Sequence, residues 1–139
     1  MILIDSSVLL DLVEAHPLWR EWSEAALVRA ANEDDLLINV IVYAEISRSF
    51  TSAAKLDAFL RATQIGIEAI PAAAAFAAAR AHHVYREAGG ARTATLPDFF
   101  IGAHAAVNGY RLLTRDAKRV RTYFPKIDLI TPKASWRPL

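Results

Sequence analysis

The chain has no cysteine, which excludes disulfides and thiolate metal sites and suits a reducing compartment without requiring one. Glycine and proline are scarce, 5 and 6 of 139 residues, so no low-complexity linker is present. No glycine-rich phosphate loop, dinucleotide fingerprint or nucleophile elbow can be found either. Long hydrophobic runs are missing too. The most apolar stretch, Ala69 to Ala79, contains Pro71 and is far shorter than the roughly 20 residues of a membrane span. The opening Met1-Ile2-Leu3-Ile4 meets Asp5 at once and has no basic flank, unlike a secretory signal. These absences lead us to expect a soluble cytoplasmic protein with no membrane partner. Charge of one sign is lacking as well: the net charge is +1, so the whole-molecule field barely favours nucleic acid.

What is present is a globular composition, 54% hydrophobic and 22% charged, of a length that fits one domain with one core. Short β-like runs alternate with longer helical patterns. Ile2-Leu3-Ile4 reads as a buried strand ending at Asp5-Ser6-Ser7, followed by a short helix over Val8 to Val13. His16-Pro17 opens a second helix in which Trp19, Trp22 and Ala26 recur at helical spacing. Leu36-Leu37-Ile38 is the second strand, and Asn39 begins a helix to about Phe50. Ser52 caps a helix through Gln64, Ile65 to Ile70 is the third strand, and Pro71 starts a long helix to Glu87, stopped by Gly89-Gly90. A helix starting at Thr95 or Leu96 spans Asp98 to Val107 and closes at Asn108-Gly109. Arg111 to Thr114 is the fourth strand, Asp116 caps a short basic helix, and Leu129-Ile130 is a weak fifth strand. Near-continuous apolar strands separated by helices predict a parallel sheet covered on both faces. Right-handed crossovers put every strand's carboxyl end on one edge, where ligands gather in such sheets.

Four carboxylates are predicted at that edge: Asp5, Glu45, Asp98 and Asp116. Each has an innocent explanation alone. Asp5 and Asp116 read as helix N-caps, Asp98 as the partner of Thr95 in a capping arrangement, and Glu45 as the i+3 partner of Arg48. Glu45, however, stands among Ile41, Val42, Ala44 and Ile46, where a bare charge is costly. Together, four like charges would raise one another's pKa unless a cation intervened. An oxygen-only donor set suits Mg²⁺ or Mn²⁺ and the metal-assisted hydrolysis of phosphodiesters. Between Arg111 and Lys126 six basic residues face the single acid Asp116. Arg115, Lys118, Arg119 and Arg121 are the candidates to hold phosphates; a solvated helix face is the bland alternative.

The ordered motifs resemble the PIN-domain family. Leu3-Ile4-Asp5-Ser6-Ser7 is similar to the family's opening, and Asn39-Val40-Ile41-Val42-Tyr43-Ala44-Glu45-Ile46 to its second motif. Leu96-Pro97-Asp98-Phe99-Phe100-Ile101-Gly102-Ala103-His104-Ala105 looks like the third. Leu112-Leu113-Thr114-Arg115-Asp116, with Tyr123-Phe124-Pro125 after it, looks like the fourth. The resemblance covers essentially Met1 to Pro132, and within the family it is best for VapC-like toxins.

It implies a PIN domain over residues 1–132 with a C-terminal tail over 133–139. The fold implied is a Rossmann-like α/β three-layer sandwich, whose mainly parallel five-stranded sheet has the order 3-2-1-4-5. The activity implied is Mg²⁺- or Mn²⁺-dependent endoribonuclease chemistry by the toxin of a toxin–antitoxin module. The partners implied are an RNA substrate, a cognate antitoxin that blocks the site, and a second copy in a homodimer. Asp5, Glu45 and Asp98 would be metal ligands, and Asp116 would complete the set directly or through water. Ser7 and Thr114 would be hydroxyls orienting them. Arg115 stands where the wider family often has Asn.

Other signals carry less. His82 and His83 are adjacent on a helix, about 100° apart, and make no metal pair. His104 reads as a packed or hydrogen-bonded histidine. The seven alanines and one Phe between Pro71 and Ala79 suit either close helix packing or a dimer surface. Two rivals remain. A phosphate-accepting switch domain would want a second acid beside Asp5, where Ser6-Ser7 stand. A catalytically idle PIN-type module binding RNA or protein would not need all four acids.

Overall fold

The computed structural model describes residues 1–89 and 94–137. Strands β1 (Ile2–Ile4), β2 (Leu36–Asn39), β3 (Ile65–Glu68), β4 (Arg111–Leu113) and β5 (Leu129–Ile130) form one sheet in the order β3-β2-β1-β4-β5. Every pairing is parallel, as expected. All three residues of β1 and all four of β2 are buried. Successive side chains point to opposite faces, so both faces of the central strands are covered. This is the α/β layering the apolar runs predicted. The edges are open by comparison: Ile67 on β3 is 51% exposed.

The helices are α1 (Ser6–Val13), α2 (Arg20–Glu33), α3 (Val40–Ile46), α4 (Ala53–Ala62), α5 (Ala72–Glu87), α6 (Leu96–Asn108) and α7 (Lys118–Tyr123). Several limits differ from expectation for local reasons. The helix expected at His16-Pro17 starts at Arg20, because His16 Nδ1 first accepts the backbone N–H of Leu18 and Trp19 at 3.1 and 3.2 Å. The helix expected to reach Phe50 ends at Ile46 and tightens into a 3-10 turn, Ser47–Ser49. Strand β3 ends at Glu68 rather than Ile70. Asp116 does not cap α7; Ala117 holds that position. Gly109, at φ 68°, closes α6 in the left-handed conformation. Gly90, half of the expected stop after α5, and the last two residues of the expected tail lie outside the described residues.

The main core gathers the sheet with Val8, Leu9, Ala30, Val42, Ile46, Leu56 and Leu60. A second, smaller cluster joins α5 to α6 through Ala74, Ala78, Phe99 and Ala103. Half of the alanine question is thereby answered. The Ala74–Ala78 stripe packs on α6, while Phe76 on the opposite side is 67% exposed. The C-terminal segment wraps the surface as far as it is described, Trp136 stacking on Trp19 at 4.8 Å between ring centroids. No helix among the described residues is long and apolar enough to cross a membrane.

Candidate metal centre

The carboxyl edge of the sheet opens into a cavity of about 360 Å³ lined by Asp5, Glu45, Asp98 and Asp116. Four separate elements deliver them. Asp5 follows β1 and is held by its own N–H on Leu113 O at 2.9 Å. Glu45 projects from α3, Asp98 from the first turn of α6, and Asp116 from the loop after β4. The sequence separations run to more than a hundred residues, and the parallel topology closes them.

Asp5 occupies the N-cap position of α1 yet makes no side-chain cap. Its carboxylate instead accepts three hydroxyls: Thr114 Oγ1 at 2.8 Å, Ser7 Oγ at 3.1 Å and Ser6 Oγ at 3.4 Å. Thr114 in turn accepts the Asp116 N–H at 3.1 Å, which fixes the turn that carries Asp116. Ser6 Oγ also donates to Glu45 Oε1 at 3.0 Å, so one hydroxyl lies between two carboxylates. Ser6 was not among the expected residues, although it stands in the same Asp-Ser-Ser run as Ser7.

Glu45 does not pair with Arg48, which binds Glu14 instead at 3.1 and 3.2 Å. Nor is Glu45 enclosed by its apolar neighbours. It lies on the solvent side of α3 and lines the cavity. Loss of hydration there pushes its pKa up; the Ser6 hydrogen bond opposes this, and the charges of Asp5 and Asp98 add to it. Asp98 does take the capping arrangement: its carboxylate accepts the Thr95 N–H and hydroxyl while the Thr95 side chain takes the Asp98 N–H. Among the described residues no three His, Asp or Glu side chains stand close enough to ligate one ion as they lie. The four acids share a cavity rather than a finished coordination shell.

The donor chemistry nevertheless fits a hard divalent cation. Every ligand offered is a carboxylate oxygen, three hydroxyls already orient Asp5, and the like-charge stress on Glu45 is the kind a cation would relieve.

Around the acids the basic residues divide. Arg119 lines the cavity, with its guanidinium 5.8 Å from the Phe99 ring centroid. Lys118 and Arg121 are exposed on α7 and do not line it. Arg115 lines it but is bound elsewhere: Nε and Nη2 donate to Asp11 at 2.7 and 3.0 Å, and Trp19 stacks beside it at 5.3 Å. Asp11 is nearly fully buried and also accepts Ser23 Oγ at 2.6 Å. Arg48 and His16 complete the rim. The sequence marks Arg48 only as a spacing partner of Glu45 and His16 only as a helix start, with no signal that either lines the cavity.

His104 is buried and hydrogen-bonded, as expected. It sits between the Asn39 amide at 3.2 Å and Glu68 at 3.3 Å. Asn39 also caps α3 through Ile41 and Val42. One histidine on α6 is thus tied to the start of the helix that carries Glu45.

A parallel α/β domain with an acidic cavity at the carboxyl edge of its central strands is the class that fold and site define. The sequence model of the PIN domain family matches residues 2–125, and the chain belongs to that family. No curated protein sequence matches the chain closely enough to count as a relative. Its fold is similar to that of VapBC2 from Rickettsia felis bound to a promoter DNA fragment, at 20% identity and TM-score 0.72, over 96% of this chain and 100% of that one. It is also similar to VapBC-1 from nontypeable Haemophilus influenzae (15% identity, TM-score 0.70, 94% and 98% covered). A third likeness is to DNA-bound VapBC from Salmonella typhimurium (14%, TM-score 0.69, 94% and 96% covered).

Proposed function

We propose that the chain is a Mg²⁺- or Mn²⁺-dependent endoribonuclease acting as the toxin of a toxin–antitoxin pair. The observation that carries this reading is the meeting of Asp5, Glu45, Asp98 and Asp116 in one cavity, with Ser6, Ser7 and Thr114 donating to the carboxylates. Asp5, Glu45 and Asp98 would hold the ion, with Asp116 beside them. A bound divalent cation would supply Lewis acidity toward a phosphodiester and lower the pKa of water. Ser7 and Thr114 keep Asp5 aimed into the cavity, and Arg119 offers a cation to the RNA backbone. Family membership and the likeness to VapBC chains support the toxin role and an antitoxin partner; a homodimer acting in the cytoplasm is part of the same proposal.

Two observations favour the idle, RNA- or protein-binding alternative: a capped Asp98 must turn to reach an ion, and no three acids among the described residues stand close enough to ligate one. Cleavage decides between them. The purified protein should cut single-stranded RNA with Mg²⁺ or Mn²⁺ and stop in EDTA. Asp5→Asn should lose more than the roughly 10–100-fold typical of an orienting partner, with the fold retained. Cleavage undiminished by chelator would overturn the metal reading, and no cleavage with either ion would favour the idle module.

A further inference from the structure

Acids line the cavity, and an RNA strand entering it needs hydrogen-bond donors among the other lining residues. Two of the three lining arginines are already engaged: Arg48 by Glu14, and Arg115 by Asp11. Arg119 is the one that forms no ion pair among the described residues. The remaining lining donor is His16, half-buried in the turn between α1 and α2.

The geometry of that turn defines which ring nitrogen can act. Ala15 takes the left-handed conformation at φ 50°, and His16 N–H donates to Asp11 O at 2.9 Å. The ring then turns so that Nδ1 accepts two backbone N–H groups, Leu18 at 3.1 Å and Trp19 at 3.2 Å. A nitrogen that accepts two N–H groups carries the lone pair, so in the neutral ring the proton sits on Nε2. That N–H has no partner among the described residues, and His16 is one of the residues lining the cavity.

We propose that His16 is an RNA-contacting residue: its Nε2–H, fixed in tautomer and direction by the backbone, donates to a phosphate oxygen of the strand in the cavity. This rests on the RNA reading of the same site and adds to it a neutral donor beside the cationic one. Arg119 releases counterions when it binds phosphate and so sets part of the salt dependence. His16 contributes a hydrogen bond and leaves that slope alone.

Two substitutions separate this from a purely structural cap. Asparagine places an acceptor where Nδ1 stands and nothing where Nε2 stands; glutamine places an amide donor at the Nε2 position and no acceptor at Nδ1. The measurement is binding of a labelled, mixed-sequence single-stranded RNA in EDTA by fluorescence anisotropy across a salt series, alongside thermal melting. His16→Asn should melt like the parent and bind about three- to tenfold more weakly, the worth of one hydrogen bond, with an unchanged salt slope. His16→Gln should keep most of the affinity and melt about 3–5 °C lower through the two lost hydrogen bonds of the turn. If the parent binds RNA and His16→Asn binds equally, or if affinity simply follows melting temperature in both variants, His16 is only a cap and the inference fails. If the metal-free parent binds no RNA at any salt, the His16 contact is overturned, while cleavage in Mg²⁺ or Mn²⁺ still decides the ribonuclease reading on its own.

Discussion

Asp5 holds a cap position without capping, and Glu45 sits in surroundings that disfavour its charge. The folded state raises the Glu45 pKa above its ordinary value of 4.5, so near that value folded protein binds more protons than unfolded protein. Its contribution is therefore destabilising at neutral pH and is relieved as pH falls through the folded value toward the unfolded one. Metal-free Glu45→Gln should melt higher than the parent at pH 7, and the difference should shrink to nothing by about pH 4. A constant difference across that range would assign the effect to packing rather than charge. Ala15 offers a second residue-scale test. A left-handed alanine is strained where glycine is not, so Ala15→Gly should stabilise by up to about 1 kcal/mol in denaturant unfolding. Destabilisation would mean that the turn is held more loosely than its φ of 50° implies.

At the scale of elements, the carboxyl edge is braced by polar ties between segments far apart in sequence. Arg115 anchors the loop after β4 to Asp11 on α1, where the carboxylate side chain is 2% exposed. Arg115→Gln would leave that charge buried and unpaired, at a cost of about 3 kcal/mol or more in unfolding free energy. Arg115→Lys should recover only part, since an ammonium cannot reproduce the two parallel hydrogen bonds. Full recovery by Lys would show that charge alone matters. Helices α6 and α7 meet by a different device. A Cβ at Gly102 would lie 2.7 Å from the Phe124 ring, so Gly102 lets the segment after Arg119 close against the helix of Asp98. Gly102→Ala should destabilise by about 1–3 kcal/mol through overpacking, and melting near that of the parent would show that Phe124 moves aside freely.

For the whole molecule, the net charge of +1 conceals a local gathering, with acids and arginines together lining one cavity. Binding of a cation to the folded site alone should stabilise the protein by about 2.7 kcal/mol at a hundredfold excess over the dissociation constant. Thermal melting should accordingly rise several degrees with Mg²⁺ or Mn²⁺ in the parent and much less in Asp5→Asn. An equal rise in both would point to unspecific ion effects instead of a site.

The sequence by itself determined the parallel sheet, because continuous apolar strands such as Ile2-Leu3-Ile4 are stable only when covered on both faces. It also determined which acids stand at strand ends, since Asp5 follows β1 directly and Asp116 lies three residues past the end of β4. Glu45 and Asp98 were legible from their motifs, and the fold brings both to the same cavity. What only the tertiary structure decided was the partner of each charged group. Arg48 reaches Glu14 and Arg115 reaches Asp11 across separations of 34 and 104 residues, which no helical spacing encodes. Helix ends at Arg20 and Ile46 likewise followed from side-chain and backbone competition in turns, where several local hydrogen bonds of similar strength are available. The roles of His16 and Ser6 came from direction, because a side chain's aim into a cavity is set by neighbours that the fold alone supplies.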